Sequence, residues 1–252
     1  MAALAIPVVL VLLAPAVQAA PATHFVDTGT PATVTAGTAF AFTVPAIDVS
    51  NNVDMGYTGT VHFTSTDGVA TLPVNSTLTN GTGNFTATLK TAGNQTITAT
   101  DTVTAITGTS LTIAVTPAAA THFLVTAPAT AINGTAFNFT VTALDQFNNT
   151  VTGYAGTVHF TSTDGAATLP ANATLTNGMV TLAATLRTNG SQTITATDTV
   201  TPAITGTSNA IVLGAGSATI PTLSQWNLAL LGILMAGLAM RALKARSGAG
   251  VA

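Results

Sequence analysis

Cysteine and glutamate are both missing from this 252-residue chain, and lysine and arginine together number five. Without cysteine there is no disulfide, no zinc–thiolate centre and no thiol nucleophile. Without glutamate, every acid is one of eight aspartates, and no close Asp pair offers itself for glycoside chemistry. No Gly-x-Ser-x-Gly elbow occurs, and a Ser-His-Asp set would have to assemble from distant positions. No enzyme activity and no cofactor are expected. Clustered Lys and Arg are also missing, so nucleic acid is not an expected partner, because neutralising phosphates requires them.

Charged residues make up 5% of the chain, against roughly 25% in ordinary soluble domains. Threonine fills the gap with 53 residues. A β-branched polar residue at that density suits a pleated surface better than a helix. The few charges are also unevenly placed. Residues 21–219 hold all eight Asp against Lys90 and Arg187, while Arg241, Lys244 and Arg246 close the chain with no acid nearby.

Both ends read differently from the middle. Residues 1–19, "MAALAIPVVLVLLAPAVQA", are apolar and then small, and a signal peptide is expected there. Val17-Gln18-Ala19 fits a small-x-small cleavage site after Ala19, and a cut after Ala20 is disfavoured by the Pro21 that would follow. No Lys or Arg precedes the apolar run, and an uncleaved N-terminal anchor is the alternative; the run is short for a span of ~20 residues. At the other end, Ile220–Met240 carries no charge. At ~1.5 Å per residue that is long enough to cross a ~30 Å hydrocarbon core. A transmembrane helix is therefore expected over 220–240, with Trp226 at the outer interface and the basic residues keeping the C-terminus cytoplasmic. A buried helix of the globular body is the alternative.

The motif "IPTLSQW", followed by an apolar run and "RALKAR", resembles the IPTL-CTERM sorting signal of proteins exported by Gram-negative bacteria. The resemblance rests on Ile220, Pro221, Thr222 and Leu223, on Trp226, and on the basic Arg241, Lys244 and Arg246; Asn227 stands where the family pattern has Gly. It implies that residues 217–246 form a sorting signal read by an exosortase-type membrane transpeptidase, leaving 247–252 as a tail. It also implies passage through the inner membrane to the cell surface. Pro221 supports an accessible, extended approach to the span, since it cannot continue a helix entering from outside.

Between the ends the chain is written twice. Residues 56–73 and 153–170 differ only at Thr58/Ala155 and Val69/Ala166, and "THF", "GTAF", "QTITATDTVT" and "ITGTS" each recur at an offset of 97 or 98. Repeat 1 is placed at 20–117 and repeat 2 at 118–216, around the linker "TPAAA". In repeat 2, "HFLVT", "AFNFTVTAL", "TVHFT", "MVTLAATLR", "QTITAT" and "AIVL" carry strand patterns, punctuated by "ING", "FNNTVTG", "TDG" and "TNG". The expected fold is all-β: two tandem immunoglobulin-like β-sandwiches plus the C-terminal transmembrane helix. With no Cys…Trp…Cys core, the modules resemble the disulfide-free Ig-like repeats of bacterial surface proteins. Val61, Phe63, Val158 and Phe160 should point inward, and His62 and His159 outward.

Several residues could carry chemistry. His24, His62, His122 and His159 lack carboxylates at ligand spacing and read as solvent-facing strand residues, so no metal site is expected. Asp48/Asp145, Asp67/Asp164 and Asp101/Asp198 recur at strand ends, where they would shape turns; calcium between the modules is the sharper alternative. Tyr57 and Tyr154, each framed by glycines, read as loop anchors or as sugar-stacking platforms. Nine Asn-x-Ser/Thr sequons occur between Asn75 and Asn189. The resulting reading is an exported surface protein with a structural or adhesive role toward a surface glycan or extracellular matrix. A glycan-binding module and an unprocessed single-pass membrane protein are the alternatives.

Overall fold

The computed structural model describes residues 20–214, 230–236 and 238–241. Repeat 1 contributes β1 (His24–Phe25), β2 (Thr33–Thr35), β3 (Ala39–Ile47), β4 (Thr60–Ser65), β5 (Ser76–Thr77), β6 (Thr82–Thr88), β7 (Gly93–Gln95), β8 (Ile97–Asp101), β9 (Thr107–Thr109) and β10 (Ile113–Thr116). Repeat 2 repeats the order: β11 (His122–Thr126), β12 (Thr130–Ile132), β13 (Ala136–Leu144), β14 (Thr157–Ser162), β15 (Ala173–Thr174), β16 (Met179–Thr185), β17 (Gly190–Gln192), β18 (Ile194–Asp198), β19 (Thr205–Thr207) and β20 (Ile211–Gly214).

Each repeat is a sandwich. In the first, the sheet β1-β3-β6 faces the sheet β5-β4-β8-β9, and β2-β10-β7 closes one side. In the second, β11-β13-β16 faces β15-β14-β18-β19, with β12-β20-β17 alongside. Pairing is antiparallel except where β2 runs parallel to β10 and β12 to β20. This is the two-sheet arrangement of an immunoglobulin-like sandwich. Two hairpins turn on Asn-Gly, with Asn80/Gly81 and Asn177/Gly178 all at positive φ. Consecutive positive φ values make the primed turn that matches strand twist, and it closes the Thr79–Thr82 and Thr176–Met179 bridges as the chain passes from one sheet to the facing one.

Alternation builds the cores as expected. Val61 and Phe63 are buried with Val158 and Phe160, while His62 and His159 face out. Phe42 meets Phe63 edge-on at 5.7 Å and Phe139 meets Phe160 edge-on at 5.5 Å, joining the facing sheets of each sandwich. The copies reach the same packing by different volumes. A Cβ on Gly83 would stand 2.6 Å from the Phe85 ring; the second repeat has Val180 and Leu182 in place of that pair. A large-small couple has been exchanged for two middle-sized residues, and the core volume is roughly kept.

The strands outside the expected set are short: β12, β15 and β19 have two or three residues each. "QTITAT" is also divided, into β17 and β18. Thr193 separates them, donating its amide to Thr163 Oγ1 instead of to a ladder. The transmembrane helix expected over 220–240 is not seen. Residues 230–236 and 238–241 are helical, residues 215–229 lie outside the described part, and among the described residues no helix is long and apolar enough to cross a membrane. The helical stretch is apolar and exposed around its circumference, with Leu230, Leu231, Ile233, Leu234, Met235, Leu238 and Met240 all open.

One close approach fixes the sandwich edge. A Cβ on Gly206 in β19 would lie 1.9 Å from the carbonyl oxygen of Phe123, and one on Gly108 in β9 would lie 2.1 Å from that of Phe25. Neither backbone can yield without dragging its strand. Gly206→Ala should therefore cost about 1–3 kcal/mol, the usual overpacking range. A urea titration of G206A showing an unshifted midpoint would contradict this.

Candidate functional site

The recurrent aspartates are the most organised polar groups in the described structure, and each is buried and held by hydrogen bonds. Asp164 accepts hydrogen bonds from the amides of Ala166, Arg187 and Thr188 and from Thr188 Oγ1. Asp67 does the same with Val69, Lys90 and Thr91. These carboxylates clamp the end of β6 or β16 to the turn after β4 or β14. Asp101 accepts from the Tyr57 hydroxyl and from the amides of Val103 and Thr104, and Asp198 likewise from Tyr154, Val200 and Thr201. Asp48 caps its own turn through the amides of Ser50 and Asn52.

Asp145 sits between the repeats, fully buried. Its Oδ1 accepts from the amides of Phe147 at 2.8 Å and Asn149 at 2.9 Å. Oδ2 accepts from the Ala118 amide of the linker and the Asn149 side-chain amide, both at 2.9 Å. Four donors fill the four lone-pair sites of a carboxylate, leaving none for the calcium ion considered above. Asn149 then crosses to the first repeat: its Nδ2 donates to the Lys90 carbonyl at 2.7 Å and its Oδ1 accepts from the Ala92 amide at 2.8 Å. Phe147 packs against the first core. It rests on Gly37, where a Cβ would stand 2.6 Å from its ring and where φ is +82°.

Tyr57 and Tyr154 are anchors. Their hydroxyls are held by Asp101 and Asp198, and their rings meet Phe25 and Phe123 edge-on at 5.7 Å and 5.6 Å. That is poor geometry for a free stacking platform. Burial first, then the neighbouring carboxylate, pushes both phenols well above their usual pKa. His62 and His159 bond through Nδ1 to Asn75 and Asn172, and His24 and His122 to the preceding threonines. Among the described residues no three potential metal ligands come together.

Of the residues expected to act in sorting, Arg241 lies at the end of the helical stretch, exposed. Ile220, Pro221, Thr222, Leu223, Trp226, Lys244 and Arg246 lie outside the described residues, as do residues 1–19 with Ala19; Ala20 is the first described residue and is half-buried. Sequence reasoning missed the roles of Phe147, Asn149 and Asp27. The signal was available in the repeat itself: Phe147 stands where the first copy has Ser50, and Asp27 where the second has the buried Val125.

The described chain is thus a tandem of two all-β sandwiches joined by a hydrogen-bonded contact and followed by an apolar helical segment. Residues 218–246 match the IPTL-CTERM motif. No curated protein matches the chain. Among solved structures it is similar to the D0-D1 domain of intimin (18% identity over 76% of this chain and 98% of that one, TM-score 0.31). It is also similar to the Escherichia coli adhesin FdeC (18% identity, 77% and 63%, TM-score 0.41). A third is the Yersinia pseudotuberculosis adhesin InvE (20% identity, 76% and 58%, TM-score 0.33). Superpositions this loose say nothing of what the chain binds.

Two titrations should bracket stability with opposite signs. For Asp101 and Asp164, burial would raise the pKa, but the hydrogen bonds from Tyr57 or Thr188 and from the backbone outweigh it and hold each at about 2. A folded pKa below the unfolded ~3.9 gives stability that is present above pH ~4 and lost as pH falls toward 2. Asp164→Asn should weaken the fold at pH 7 and flatten its acid limb; an unchanged acid limb in denaturant titrations from pH 7 to 2 would contradict the assignment.

Asp27 behaves the other way. Its Oδ1 is buried with no hydrogen-bond partner, and burial pushes its pKa up to about 7. A carboxyl whose folded pKa is raised holds its proton more tightly when folded, so stability falls as pH climbs from ~4 through 7. Asp27→Val, copying Val125, should stabilise the protein more at pH 8 than at pH 4. Equal gains at both would show that the charge is not the cause.

Proposed function

We propose that this is an exported bacterial surface protein, in which the C-terminal segment delivers a two-module β-sandwich ectodomain to the outside of the cell. The observation that carries the reading is the IPTL-CTERM match at residues 218–246, directly after the second sandwich. In this reading residues 1–19 are a cleaved signal peptide. Residues 220–240 span the inner membrane transiently, and an exosortase-type transpeptidase cuts near Ile220–Leu223. The exposed apolar side chains at 230–240 support membrane contact, because a helix apolar on all sides has no stable place in water. Arg241, Lys244 and Arg246 would stay on the cytoplasmic side.

The ectodomain acts as a structural element that holds its outer end away from the membrane. Its hydroxyl-covered surface and buried, internally hydrogen-bonded carboxylates fit a mechanical role better than recognition of a charged partner. Binding of a surface glycan or extracellular matrix component remains the alternative for the exposed loops.

Intact-mass measurement on protein released from the cell surface tests the reading. The expected product begins at Ala20 and ends close to the Ile220–Leu223 tetrad. A surface-exposed product extending through Ala252 would overturn processing, and protein confined to the cytosol would overturn export.

A further inference from the structure

The contact between the repeats is directional, and both of its halves occur again at the outer ends of the pair. At the inner contact, the exit end of repeat 1 offers the Lys90 carbonyl, the Ala92 amide and the bare Gly37 surface. The entry loop of repeat 2 supplies Asp145, Phe147 and Asn149. By the same repeat register, the exit end of repeat 2 offers the Arg187 carbonyl, Asn189 and Gly134. The entry loop of repeat 1 offers Asp48, Ser50 and Asn52.

Each outer half has been altered at the residues that matter for docking. Asn133 replaces the buried Ala36 of the first repeat, and its Nδ2 donates to the Arg187 carbonyl at 2.8 Å and to Asn189 Oδ1 at 2.6 Å. The Arg187 carbonyl corresponds to the Lys90 carbonyl that takes the Asn149 amide at the inner contact. Gly134 keeps its positive φ of +77°, and no described residue lies within 4 Å of where its Cβ would be. The bare glycine surface that seats Phe147 at the inner contact thus recurs here. At the entry loop the frame survives as well: Asp48 caps the same turn, and Asn51 at φ 63° matches Asn148 at 66°. Ser50 stands where the anchoring Phe147 would be.

We propose that the two modules form a closed pair, in which Asn133 plugs the exit face from within and Ser50 removes the anchor from the entry loop, so that second copies cannot add head to tail. The face disabled by Asn133 fits one kind of partner, an entry loop of the Asp-x-Phe-Asn-Asn type. Among the described residues, the inner contact is the only place where the chain supplies both halves.

Sedimentation velocity of the full chain in density-matched detergent reads this out. The unmodified protein and the single variants Ser50→Phe and Asn133→Ala should each sediment as one copy per particle. The double variant S50F/N133A should form dimers and longer chains at the same concentration. Phe147→Ala in that background should leave those chains intact while loosening the inner contact, because the new contacts are anchored by the ring introduced at position 50. Association of S50F alone to the same extent as the double variant would overturn the plug. A folded double variant that stays single would overturn the shared docking face. Side-chain amide exchange in the unmodified chain gives a reading that needs no variant: the Asn133 NH2 should exchange several-fold more slowly than that of Asn52. Equal rates would overturn the proposal.

Discussion

A carboxylate buried without a cation is expensive unless every lone pair finds a donor. This fold meets that condition repeatedly. Lys90 and Arg187 are the only Lys or Arg before position 241, and their charged heads go to Thr71, Thr168 and the Ala166 carbonyl rather than to the carboxylates of Asp67, Asp101, Asp145, Asp164 and Asp198. Backbone amides take that place, aided by threonine and tyrosine hydroxyls. Each such amide belongs to a turn or strand end that would otherwise leave a buried donor unpaired. The acid and the loop therefore satisfy one another, and each Asp becomes a staple between segments distant in sequence. Asp164 and Arg187 are separated by 23 positions and Tyr154 and Asp198 by 44. In a chain without disulfides, these staples take the place of cross-links in fixing how loops sit on the sandwich.

The staples also explain the contact between modules. Asp145 uses the same turn-capping geometry as Asp48, then recruits the linker amide of Ala118 and the side chain of Asn149. That last bond orients the Asn149 amide so that its remaining groups reach the Lys90 carbonyl and the Ala92 amide. A device that serves one loop in the first repeat thus positions an interface in the second. Phe147 adds apolar burial, and Gly37 supplies the clearance.

Most of the fold was legible because period-two alternation survives wherever one face of a strand is buried. "AFNFTVTAL" and "HFLVT" gave strands whose limits match β13 and β11 residue for residue. β12, β15 and β19 escaped because two or three residues cannot display a period, and their pairing is decided by neighbours already in place. The inward turn of Asp27 escaped for another reason: a polar residue next to a strand ordinarily faces water, and only the Val125 of the other copy betrays the buried position. The turn role of the recurrent aspartates was legible, whereas the four-donor closure of Asp145 was not, because Ala118 approaches it from the linker.

Comparing the copies separates what the sandwich needs from what its surroundings need. Where they agree, as in "GTVHFTSTDG", the residues form β4 or β14, its core contacts and the Asp staple that follows. Where they differ inside, as in Gly83/Phe85 against Val180/Leu182, the changes compensate in volume and leave the sheets in place. Where they differ at the ends, as in Ser50 against Phe147 and Ala36 against Asn133, the changes bear on the surface that a neighbouring module would meet, and Asn133 is paired there with Asn189, which stands where the first copy has Ala92. At the inner contact the difference seats the neighbouring module, and at the outer faces we have proposed that it blocks a second copy. An exact duplication would offer the same complementary ends at every face, so departures such as Ser50 and Asn133 decide which faces can join.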